Sequence, residues 1–93
     1  MTSQTTTEQT PRTISELVVA HGWDGLEKDA RKKFSVKGDR SLAQAILSEV
    51  NVRAGVFSKS EFKAEMENVL VARDADLADA VARFLTATDE RLG

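Results

Sequence analysis

Cysteine and tyrosine are missing from this 93-residue chain, and histidine, proline and tryptophan occur once each. Without cysteine there is no disulfide, no thiolate metal site and no thiol nucleophile. With His21 alone, the commonest general base is reduced to a single residue. Long apolar runs are also lacking. No segment approaches the ~20 apolar residues that cross a bilayer, and no basic start leads into the apolar core of a signal peptide. These absences are those of a cytoplasmic protein with no membrane partner. Glycine-rich phosphate loops are absent too, because Gly22 and Gly25 precede neither a third glycine nor a Gly-Lys-Ser/Thr ending. A formal net charge of −2 argues against coating nucleic acid by bulk electrostatics.

What is present is a series of helix starts. Thr13 with Glu16, Asp24 with Glu27, Ser41 with Gln44 and Ser58 with Glu61 each pair an N-cap residue with Glu or Gln three positions on. In such a box the cap side chain accepts from the N3 amide, and the N3 side chain reaches back to the cap amide. Asp74 supplies a fifth, simpler start, with Asp76 adding negative charge at the positive end of its helix. Gly22, Gly38 and Gly55 stand near segment ends, where a helix stop favours a residue that tolerates positive φ.

The apolar spacing agrees with the caps. Helix one, 14–21, aligns Ile14, Leu17, Val18 and His21 at the 3.6-residue period. Trp23 then follows the Gly22 stop and packs back on the last turn. Helix two, 25–36, buries Leu26, Ala30 and Phe34 and turns Lys28, Arg31 and Lys32 outward. Helix three, 42–54, is the most apolar, with Leu42, Ala43, Ile46, Leu47, Val50 and Ala54 in one arc, and is the expected centre. Its end could be read as a strand from the alternation of Val50, Val52, Ala54 and Val56, but continuity with the capped helix favours helix up to Gly55. Helix four, 59–73, carries Phe62, Met66, Val69 and Leu70. Helix five, 75–88, carries Leu77, Val81, Phe84 and Leu85. Residues 1–12 hold no aliphatic side chain after the initiator and cannot offset the entropy of ordering. The expectation is an all-α, compact bundle of four to five short helices over 13–93, behind a flexible polar tail.

Chemistry is sparse. His21 lies on the apolar side of helix one and lacks a second histidine or a carboxylate motif that would make it a metal ligand. Glu61 with Glu65 and Asp76 with Asp79 sit one turn apart, but no Glu-x-x-His element accompanies them, so a solvated acidic face accounts for both pairs. Asp39-Arg40-Ser41-Leu42 is similar to the Asp-Ser-Leu of acyl carrier proteins, whose serine would take a phosphopantetheine arm. Here Arg40 interrupts the motif, and Ser41 is accounted for as a helix cap. No catalytic residue, metal site or cofactor is assigned.

Charge is the remaining signal. Residues 28–40 hold six basic and two acidic side chains, whereas 58–93 hold five basic and eight acidic. Segregated charge of this kind steers encounters with a complementary macromolecule. The expected function is a small non-enzymatic protein that binds another protein, as an adaptor, inhibitor or regulatory subunit, with a homodimer left open. The candidate partner-binding residues are Trp23, Lys28, Arg31, Lys32 and Lys33, because Trp and Arg are over-represented at binding hot spots. The alternative is a DNA-binding regulator with a helix-turn-helix over 13–34, its second helix presenting Lys28, Arg31 and Lys32. Anchoring that motif on Gly22 puts Lys28 and Arg31 in its buried positions, and Asp24, Glu27 and Asp29 crowd the helix start.

Overall fold

The capping boxes at Thr13 and Ser58 form as expected, and they set the starts of two of the five helices. In a computed structural model describing residues 13–93, the order is α1 (Ile14–Ala20), α2 (Leu26–Lys33), α3 (Asp39–Ala54), α4 (Lys59–Val71), a 3-10 turn (Asp74–Asp76) and α5 (Leu77–Leu92). The fold is all-α, with no strand among the described residues. The expected tail, 1–12, lies outside them. Among the described residues, no helix is long and apolar enough to cross a membrane.

The centre is α3, which packs against each of the other helices and buries Leu42, Ala43, Ala45, Ile46, Leu47 and Val50. Ile14, Leu17 and Val18 of α1, Leu26 and Ala30 of α2, and Leu77, Val81, Phe84 and Leu85 of α5 complete the core. Phe84 is wholly buried, stacked on Phe57 with centroids 5.1 Å apart and edge-on to Phe62 at 6.3 Å.

The first turn is a Schellman motif. Gly22 N–H donates to the Val19 carbonyl and Trp23 N–H to that of Val18, both at 2.9 Å. Gly22 adopts φ +83°, which L side chains avoid. Trp23 is half-buried against the core, and its indole Nε1 finds no hydrogen-bond acceptor among the described residues.

Several local expectations need correction. Asp24 does not cap α2. A turn from Trp23 to Leu26 puts Gly25, at φ +82°, in the cap position, so Asp24 stands one residue too early. Helix two stops at Lys33, three residues short, because Phe34 is extended (φ −125°, ψ 151°). Leaving the helix there brings Val36 against the core and swings Phe34 out of the buried stripe to 39 % exposure. Leu70 likewise leaves the expected stripe of α4, at 47 % exposure, because α3 and α5 cover only the Val69 side of that helix.

Ser41 is an N3 residue, not an N-cap paired with Gln44. Helix α3 begins at Asp39, and the Ser41 hydroxyl accepts from the Lys37 and Gly38 amides at 2.8 and 3.0 Å. Gly38 is extended, at φ −173°, and is a helix entry instead of a left-handed stop. Asp74 caps nothing. Its carboxylate accepts from Arg40 at 2.9 Å, and Arg40 also donates to the Val69 and Leu70 carbonyls that end α4. Helix α5 therefore begins at Leu77 after a 3-10 turn, and it runs on to Leu92.

Candidate functional site

The five residues singled out by charge and aromaticity are divided by the fold. Lys28 and Arg31 line a groove of about 360 Å³ between α1 and α2, together with Val18 and the exposed Val19. Arg31 is tied to Glu27 one turn back at 2.9 Å. The Ser15 hydroxyl and this guanidinium hold the Glu27 carboxyl below its ordinary range. Trp23 is committed to the turn described above. Lys32 and Lys33 lie at the far end of α2 and lead straight into Phe34.

Lys33 belongs to a charge cluster that sequence reasoning missed. Glu49, among the buried apolar residues of α3, is 2 % exposed. It accepts from Lys33 Nζ and from Arg53 Nε, each at 3.1 Å. Arg53 also donates to Asp29 of α2, and that bond, with the one to Glu49, raises the Arg53 pKa. One signal was available: Glu49 and Arg53 have the i,i+4 spacing of a helical ion pair. The partnership with α2 had no local signature.

At Phe34 the basic end of α2 opens into a second groove of about 360 Å³. Its floor is the outer face of α3, with Ser41, Gln44, Ala45 and Ser48 spaced at i, i+3, i+4 and i+7. Phe34 and Ser35 form one wall, and Met66 and Leu70 of α4 form the other. Among the described residues, no acidic side chain lines it. The Arg40 bonds to the Val69 and Leu70 carbonyls set the start of α3 beside the end of α4, so the two helices run antiparallel. Lys59 and Lys63 therefore lie further along the same wall, at helical spacing from Met66 and Leu70. Val52, 71 % exposed, continues the floor toward them.

Other charged groups are used within the fold. His21 Nδ1 lies 2.5 Å from Asp89 Oδ2, which joins the end of α1 to α5. Arg91 makes a two-pronged contact with Glu61 at 3.0 and 3.1 Å and stacks 4.6 Å from the Phe57 ring centroid. Arg91, then the Ser58 amide and hydroxyl, pull the Glu61 pKa down to about 2, and Glu61 in turn raises that of Arg91. Glu61 is thus a cap and an ion-pair partner between α4 and α5. Among the described residues, no three His, Asp or Glu side chains converge as a metal site would require.

Comparison of the chain with protein-family models, with curated proteins and with solved structures gives no match.

Proposed function

We propose that this protein is a non-enzymatic, cytoplasmic binding module that engages another protein through the groove between α2, α3 and α4. One observation carries the reading. Phe34 and Leu70, two large apolar side chains 39 % and 47 % exposed, face each other across a floor without charge. Burying either on folding was open to the chain, since both fall on sequence positions in phase with buried neighbours. Large apolar side chains flanking an uncharged, mostly polar floor offer anchors for a protein contact, with charge at the rim.

The fold also weighs against the nucleic-acid alternative. Arg31 and Lys33, two of the basic residues on α2, are bound to Glu27 and Glu49. On α2 that leaves Lys28 and Lys32 without an ion-pair partner among the described residues, and a mode that gains affinity with each phosphate neutralised is weakened by the pairing of the other two.

The test is affinity capture from host lysate with tagged wild-type protein and with Phe34→Ser and Leu70→Ser, each with and without nuclease. A protein that survives nuclease and is lost from both variants supports the reading. Captured nucleic acid, or a protein held equally by wild type and variants, refutes it. Each side chain is about half-buried, so each substitution should cost about 1–2 kcal/mol, and thermal unfolding of each variant checks that it is folded.

A further inference from the structure

We propose that the groove takes an acidic amphipathic helix of a partner protein; this rests on the protein-binding reading above. Shape gives the first argument. From Ser41 to Val52 the floor follows twelve residues of α3, about 16 Å from first to last at 1.5 Å rise per residue. That length matches a helix of about three turns laid along α3 with its apolar stripe between Phe34 and Leu70. Such a helix would complete the packing that α3 already makes on its other sides.

Charge gives the second argument and selects the partner's chemistry. Lys33 and Lys37 flank Phe34 and Ser35 on one wall, and the Lys37 amide is bonded to the floor residue Ser41. Lys59 and Lys63 continue the other wall. All four are exposed, and only Lys33 has an ion-pair partner among the described residues. Glu49, the acidic residue of α3 nearest the floor, is already neutralised by Lys33 and Arg53. A strip anchored by Phe34, Met66 and Leu70, with cations on both sides, is complementary to a helix whose apolar stripe is bordered by carboxylates. A second copy of this chain fits worse, since a two-fold contact through the strip sets its lysines against their own copies. Nucleic acid would meet the lysines and leave Phe34, Met66 and Leu70 without contact.

The test is an NMR amide titration of the full chain with four probes. The first is an acetylated peptide of about 14 residues, near four helical turns, with leucines at i, i+3, i+4 and i+7 and glutamates elsewhere. The second replaces its glutamates by lysine, the third replaces its leucines by serine, and the fourth is a DNA duplex. The Glu–Leu peptide should saturably shift Gln44, Ser48, Met66 and Leu70. The Glu–Ser and Lys–Leu peptides should bind at least tenfold more weakly. In a Lys59→Glu, Lys63→Glu variant the Glu–Leu peptide should weaken about tenfold, while the folded spectrum persists. Equal binding of the Lys–Leu peptide, no saturable shift with the Glu–Leu peptide, or shifts centred on Lys28 and Lys32 with the duplex would each overturn the proposal. If lysate capture yields a groove-dependent protein partner while the acidic peptide fails, the acidic-helix inference falls and the protein-binding reading stands. Capture of nucleic acid alone removes both.

Discussion

Truncating Glu49 should destabilise this domain more than removing any other charge. Its carboxylate is 3 % exposed and accepts from Lys33 and Arg53, so Glu49→Ala deletes both contacts and leaves a small void beside α2. Breaking a buried ion pair by removing one partner costs about 3–5 kcal/mol where the surviving charge is stranded away from water. Here the survivors are not stranded: Lys33 and Arg53 side chains are 55 % and 35 % exposed and can rehydrate. The cost should therefore fall to about 2–3 kcal/mol, below that range. For a domain of this size such a loss lowers Tm by roughly 10–20 °C. Lys33→Ala, which leaves Glu49 bonded to Arg53, should cost about 1 kcal/mol or less, as exposed partners do. Urea unfolding of Glu49→Ala, Arg53→Ala and the double variant should give a coupling of about 1–2 kcal/mol. A Glu49→Ala domain within ~0.5 kcal/mol of wild type would refute the claim that this cluster joins α2 to α3.

Two further outcomes follow from local geometry. Gly22→Ala should cost about 1–2 kcal/mol in chemical denaturation, because alanine must adopt the left-handed conformation. An added Cβ meets nothing within 4 Å, so the loss is in the backbone, and Gly22→Asn should recover part of it. Glu61 is an acid whose folded pKa is depressed from near 4.5 to about 2. Its stabilisation is complete above the ordinary value and is lost as pH falls through the folded one. The Tm gap between wild type and Glu61→Gln should thus be constant at neutral pH and close between pH 4.5 and 2. A gap that persists at the lower limit would show that charge is not its source.

Local chemistry made the helical class, the count of helices and most of the core legible in the sequence. The boxes at Thr13 and Ser58 act within three residues, and the Gly22 stop within five, so their outcome depends little on the rest of the chain. The stripes of α1, α3 and α5 were legible for the same reason, since a helix with one apolar face buries that face whatever covers it. The unused Asp74 cap shows the limit: Arg40, 34 residues away, takes its carboxylate.

What the tertiary structure alone decided is which apolar and charged residues remain outside. Phe34 and Leu70 are in phase with buried neighbours, and only the early end of α2 and the coverage of α4 leave them exposed. Lys33 looked like part of a free basic face until α3 placed Glu49 beneath it. Both effects are long-range. Periodicity within one helix specifies the direction of a side chain, but its burial or pairing depends on how many neighbours arrive and from which side. Local chemistry thus specifies the helices and their inward faces, and the packing of α2 and α4 around α3 makes the groove.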